Sequence, residues 1–376
     1  MKIYSQIIKI RILLLAVIFS LNISPSTAQK KSKTSTPPAQ TEVDLKFTPV
    51  IELKATSVKN QSATGTCWCF ATTSFIESEL LRTGKGEFDL SEMFVVRQNY
   101  IDKLDDNYLR QGKGNLGQGG LSHDWMKIFT EVGIVPDEVY NGLNYGSPTH
   151  NHGELNSFIN AVAAVPVQRK NESAQYHDIV NGILDTYLGK VPESFTYKGV
   201  NYTPKSFAQS LGINPDDYVE ITSFTHFPFY SQGVLEVPDN WRMSQFYNVP
   251  LNELTEIMDY SLKNGYTVNW DGDVSEKGFS YSKGVATFPE ANVTQEMRQS
   301  GYENFTTTDD HLMHITGIST DQDGGKYYIT KNSWGTERNS FGGYLNMSEN
   351  YVRAKTIFIM VNKNSIPPAI RTKLGL

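Results

Sequence analysis

Residues 61–86 read "QSATGTCWCFATTSFIESELLRTGKG" and hold the two cysteines of the 376-residue chain, Cys67 and Cys69. No glycine or proline interrupts Cys67 to Arg82, and Gly84 follows where a helix would stop, so the stretch predicts a helix opening just after Gly65. Side chains two apart on a 3.6-residue repeat point about 200° away from each other. A Cys67–Cys69 disulfide would have to unwind the turn. A C-x-C metal pair needs two further ligands, and the nearest histidine, His123, is distant in sequence. A nucleophile fits better. In the first turn of a helix, exposed amides and the helix dipole favour a thiolate at Cys67. Cys69, turned toward the packed side, reads as a small buried hydrophobe. A working thiol also needs a base, an orienting group and an oxyanion donor.

Upstream of this stretch the chain opens like an export signal. Lys2, Lys9 and Arg11 precede the apolar run from Ile12 to Leu21, and Ser26-Thr27-Ala28 offers small residues for cleavage near Gln29. The expectation is an exported, periplasmic or extracellular protein with a signal peptide at 1–28. A polar linker rich in Pro, Ser and Thr follows at 29–44, then a folded region at 45–376. The full-chain net charge of −6 argues against a general nucleic-acid surface. With the signal removed, no membrane association is expected. Two cysteines in so long a chain do not make a disulfide framework.

Downstream, "DDHLMHITGIS" (309–319) and "KYYITKNSWG" (326–335) read as strands joined by a turn at Asp323-Gly324-Gly325. A histidine-bearing strand and an asparagine-bearing strand are thus hairpin partners. Alternation puts His311, Met313 and Ile315 on one face and Leu312, His314 and Thr316 on the other, so only one histidine can serve the thiol.

The three blocks "QSATGTCWCFA", "DHLMHITG" and "KNSWGTERNSFGGY" resemble those of papain-type (family C1) cysteine peptidases. Gln61 stands six residues before Cys67, His311 six before Gly317, and Asn332 opens Asn-Ser-Trp-Gly. The resemblance implies an α+β papain-like fold: a helical half carrying the catalytic helix, and an antiparallel β half. It implies Cys67, His311 and Asn332 as catalytic residues, with the Gln61 amide and the Cys67 N–H as oxyanion donors and Trp334 covering the His–Asn bond. His311 then shares a proton with Cys67 as a thiolate–imidazolium pair, and peptide bonds are cut through a thioester. His314 becomes a packing or surface residue. No cofactor and no metal are implied.

Cys67 and His311 lie 244 residues apart, against roughly 130–150 in compact relatives. The enlarged middle resembles the bleomycin hydrolase/aminopeptidase C subfamily, as do "GQGGLSHDWMKIFTEVGIVPDEVY" (117–140) and "YNVPLNELTEIMDYSLKNGYTVNWDGDVSEKGF" (247–279). It implies a large, mainly helical insertion at roughly 145–250, Gly119-Gly120 lining the cleft against substrate backbone, a broad-specificity aminopeptidase acting on peptides, and a possible homo-oligomer, hexameric in relatives. The end, 363–376, resembles a shortened form of the C-terminal arm that lies in the cleft of those relatives, which leaves endopeptidase action or non-catalytic peptide binding as alternatives. Asp271 and Asp273 read first as a solvated turn, with a place on the cleft rim for a substrate amino group as the alternative, and His150 and His152 read as a loop without a metal cluster. Ser122-His123-Asp124, being contiguous, lacks the geometry of a serine triad.

Overall fold

A computed structural model describes residues 45–376; the expected signal peptide and linker, 1–44, lie outside the described residues. After strand β1 (Thr48–Glu52), helix α1 spans Cys67–Arg82, the bounds expected from the uninterrupted run. Residues 68–80 of α1 are all buried, so it is a central helix with no solvent face. Its two interior glutamates are therefore paired. Glu77 accepts from Thr56 and from the Leu90 amide, and Glu79 takes a two-pronged contact from Arg82. A buried carboxylate without such partners would cost several kcal/mol.

Helices α2 (Glu92–Leu109) and α3 (Ser122–Glu131) complete the wall around α1. Helices α4 (Gly153–Arg169) and α5 (Ala174–Leu188), a small ribbon of β2 (Phe195–Tyr197) and β3 (Val200–Tyr202), and α6 (Pro204–Leu211) pack on its outside. This is the first part of the expected insertion, and it is mainly helical. From β4 (Tyr218–Thr222) the chain instead joins the main sheet, with β5 (Gln232–Val234) and β6 (Gln245–Asn248) at its edge.

Helix α7 (Leu251–Lys263) ends before Gly265, whose φ is +83°, and leads into β7 (Val268–Gly272). The remaining elements are β8 (Phe279–Ser280), β9 (Val285–Ala286), α8 (Gln295–Glu303), β10 (His311–Thr320), β11 (Lys326–Lys331), β12 (Tyr344–Ser348), α9 (Glu349–Lys355), β13 (Thr356–Asn362) and α10 (Pro368–Leu374). Along the sheet the order is β5-β6-β4-β13-β7-β10-β11-β12-β9-β8, with β1 also paired to β10. The β10–β11 hairpin turns at 321–325, where Asp321 Oδ1 accepts from the amides of Asp323 and Gly325.

The middle strands are buried on both faces, and alternate residues feed two cores. Leu312, Phe358 and Met360 join α1–α6 in one core; Met313, Ile315, Ile359 and Val361 join α7, α9 and α10 in the other. The first core positions α1 against β10, and the site lies where those two elements begin.

Candidate active site

Cys67 is the first residue of α1 and keeps partial exposure, whereas Cys69 is fully buried with its Sγ on the Glu92 carbonyl at 3.3 Å. Both thiols are free. Gly65 and Trp68 tie the helix start to the next loop: the Gly65 amide donates to Gln118 Oε1 (2.9 Å) and the Trp68 indole to the Gln118 carbonyl (3.0 Å). The backbone N–H of Leu312, the residue after His311, acts on the Cys67 sulfur and favours its thiolate form.

His311 opens β10, almost fully buried. Its Nε2–H donates to Asn332 Oδ1 at 2.8 Å, which leaves Nδ1 as the basic nitrogen. The Trp334 ring lies 4.6 Å from the imidazole, backed edge-on by Tyr281. Gln61 is stitched to the same segment. Its amide N–H donates to the Ser333 carbonyl, and its Oε1 accepts from the Ser333 hydroxyl (2.7 Å). Gln61 Nε2 gives one hydrogen to the Thr64 carbonyl (2.8 Å) and has a second hydrogen to donate.

His314 takes no part in this grouping. It lies deep under α1, with Nδ1 2.8 Å from Ser74 Oγ and its ring edge-on to Phe75. Lys331 donates to the same Ser74 hydroxyl. His314 is a packing residue.

Burial dominates the electrostatics of the two groups that the thiolate–imidazolium expectation pairs. Burial pushes the Cys67 thiol up to about 12, with Asp309, Asp271 and Asp239 adding to the rise and the Leu312 N–H opposing it. Burial likewise holds His311 down at about 4, against the Asn332 hydrogen bond. A helix N-terminus supplies only about 0.3–1 kcal/mol to an anion, too little to offset this surrounding. Both shifts favour the uncharged forms, thiol and neutral imidazole.

One other expectation is corrected. Asp271 and Asp273 are not a solvated turn. Asp271 lies within β7, paired to Leu312 of β10, and is fully buried. Asp273, equally buried, accepts from Ser275 and from the Thr308 amide. The strand continues through Gly272 because β13 crosses there: a Cβ on Gly272 would sit 2.3 Å from the Lys355 carbonyl. A Cβ on Gly119 would fall 1.8 Å from Asp239 Oδ2. Gly120 backs onto Trp68 and Asp124 at 3.0 Å. His152 is buried beside Tyr100, and no metal-holding group of His, Cys, Asp and Glu occurs among the described residues. Ser122, His123 and Asp124 are each engaged elsewhere, with Asn269, Glu220 and Arg242 respectively.

Sequence reading missed Asp239 and Asp309. Both carboxylates act on the Cys67 thiol, one from the inserted region and one from the approach to β10.

A thiol at a helix start and an asparagine-held histidine under a tryptophan, on a helix-plus-sheet scaffold, fit a papain-like cysteine peptidase. The chain belongs to the Peptidase C1-like family, whose model matches residues 116–375. Aminopeptidase C of Lactobacillus delbrueckii subsp. lactis is 23% identical, over 88% of this chain and 85% of its own length. Aminopeptidase C of Streptococcus thermophilus is 25% identical, over 86% and 84%. The mitochondrial cysteine proteinase 1 of Saccharomyces cerevisiae strain S288c is 21% identical, over 87% and 79%. The crystal structure of PepW from Lactobacillus rhamnosis superposes with a TM-score of 0.70 at 20% identity, covering 87% of this chain and 84% of that one, which shows the shared fold.

Proposed function

We propose that this protein is an exported aminopeptidase that removes residues from peptide N-termini through a Cys67–His311–Asn332 mechanism. The observation that carries the reading is that Cys67 opens α1 where its sulfur feels the Leu312 amide, one residue along β10 from the His311–Asn332 pair. His311 Nδ1 takes the thiol proton as sulfur attacks the peptide carbonyl. The oxyanion forms against the Cys67 N–H and the free hydrogen of the Gln61 amide, donors whose loss typically costs about 10²–10³ in rate. His311 then protonates the leaving amine, and water, with His311 as base, hydrolyses the thioester. Export rests on the basic and apolar pattern of residues 1–28.

The test is a panel of aminoacyl-coumarin and N-blocked peptidyl-coumarin substrates. Cys67→Ala and His311→Ala should abolish turnover, and Cys69→Ala and His314→Ala should retain most of it once folding is verified by circular dichroism. Activity surviving in Cys67→Ala but lost in Cys69→Ala would overturn the assignment.

A second reading, endopeptidase action, is favoured by the C-terminal arm. Residues 368–374 form α10, with Ile370 and Leu374 buried in the second core and Lys373 paired to Glu253 of α7 at 2.7 Å. The arm is thus committed to the sheet's other face rather than laid along the cleft.

A further inference from the structure

Since the arm does not restrict the cleft, the question is what does. The chemistry fixes the direction of the cleft. His311 must protonate the leaving amine, so the leaving segment lies on the His311–Trp334 side. There the surface is open: a groove of about 480 Å³ is lined by Asn60, Ser62, His150, Asn151, Trp334 and Arg338. The acyl segment, with its amino end, must run the other way, toward Gly119.

That end is occupied by the protein itself. The loop around Asp239 is pinned to the helical wall. Asn115 Nδ2 donates to the Pro238 carbonyl (2.7 Å) and to Asp239 Oδ1 (3.1 Å), Arg110 donates to the Trp241 carbonyl, and Arg242 binds Asp102 and Asp124. Asp239 is thereby laid on Gly119 so closely that no Cβ fits between them. From the sheet wall, Asp309 and Asp271 face each other and come within electrostatic reach of Asp239. All three act on the Cys67 sulfur. Both oxygens of Asp271 and one of Asp309 are buried without a hydrogen-bond partner. Buried polar atoms in folded proteins nearly always have partners, so these point to a donor-rich group that belongs between them. Burial raises both carboxyls; the neighbouring Asp309 adds to the rise at Asp271, and Asp239 adds to the rise at Asp309, which reaches about 8. Lys103, whose charge acts on Asp239, donates to the carbonyls of Gly117 and Gly119.

We infer that Asp239, Asp309 and Asp271 close the acyl end of the cleft and receive the free α-ammonium group of the substrate. An ammonium carries three donors and a positive charge, which matches the unpartnered acceptors. The inserted loop then does what a C-terminal arm would otherwise do, and it limits the enzyme to the first residues of a chain. This rests on the peptidase reading above, and the test separates the two.

Two measurements are made on the full chain. The first compares kcat/KM for leucyl-coumarin and its N-acetyl twin in wild type, Asp239→Asn and Asp309→Asn. The second measures calorimetric binding of the peptide Leu-Gly-Gly-Phe and its N-acetyl form to Cys67→Ala, with and without the same Asn changes. The expected wild-type preference for the free amine is at least about 10-fold, falling by at least about 10-fold in each Asn variant, mainly through KM. The binding preference should vanish in parallel. If wild type turns over neither substrate yet Cys67→Ala prefers the free peptide and the Asn variants lose that preference, the ammonium site stands and the peptidase reading fails. Preference unchanged within twofold in both Asn variants overturns the ammonium site. So does faster cleavage of N-blocked substrates with arginine at the penultimate position, which would assign the carboxylates to a side-chain cation instead.

Discussion

Replacing Asn332 with alanine removes the one acceptor that fixes the His311 ring. Asn332 is almost fully buried, and its Oδ1 accepts from His311 Nε2 at 2.8 Å and from the Ser333 amide at 2.7 Å. During the reaction the imidazole becomes an imidazolium, so the bond lost is charge-assisted, worth about 1.5–3 kcal/mol. At about 1.36 kcal/mol per decade, kcat/KM should fall roughly 10- to 150-fold. The orphaned Ser333 amide should add about 1–3 kcal/mol of destabilisation. Kinetics on leucyl-coumarin read the first effect and urea melts the second, so loss of fold and loss of orientation are separated. Asn332→Asp keeps an acceptor and adds a negative charge, which raises the pH at which His311 releases its proton. It should retain more activity than the alanine variant. A folded Asn332→Ala protein whose kcat/KM stays within twofold of wild type would refute the role given to this hydrogen bond.

Two further outcomes follow from burial. Burial holds His152 down at about 4, while in the unfolded chain it titrates near 6.5. Above about pH 6.5 neither state is charged; as pH falls from there toward 4 the unfolded chain takes a proton that the native state refuses, and stability is lost, by about 2 kcal/mol at pH 5. His152→Gln should shrink the difference in unfolding free energy between about pH 7.5 and about pH 5 by that amount, and an unchanged difference would contradict a buried neutral ring. Deleting residues 367–376 removes the buried Ile370 and Leu374, costing at most roughly 3–6 kcal/mol. It should lower the Tm while leaving the free-amine over blocked-amine selectivity in place; collapse of that selectivity would put the arm in the cleft after all.

The parts of the site legible in the sequence were those set by local rules. The run from Cys67 to Arg82 has no breaker and became α1, and the Asp/Gly-rich turn brought β10, which opens at His311, beside β11, which ends one residue before Asn332. Alternation along β10 was real but incomplete as a guide. The body of α1 packs on the face that carries His314, next to Ser74 and Phe75. His311 meets the site because it stands at the strand's end, level with the tip of the helix, and only the family resemblance singled it out beforehand. Asp271 was misread because Asp-Gly-Asp carries turn residues, whereas β10 and β13 on either side hold it as strand. Asp239 gave no local signal at all. Its role comes from a loop placed against Gly119 by Asn115 and Arg242, contacts that span more than a hundred residues.

The seam joining the start of the folded chain to the Asn-Ser-Trp-Gly segment carries one more consequence. Asn60 pairs with Trp334, the Gln61 amide bonds the Ser333 carbonyl, and the Gly335 amide bonds the Lys59 carbonyl. Through this short zipper the group that steadies the imidazole and the group that would greet the tetrahedral oxygen are parts of one stiff plate. Breathing of the helical wall against the sheet would widen or narrow the approach for a peptide, yet those two fittings would keep their mutual spacing through every turnover.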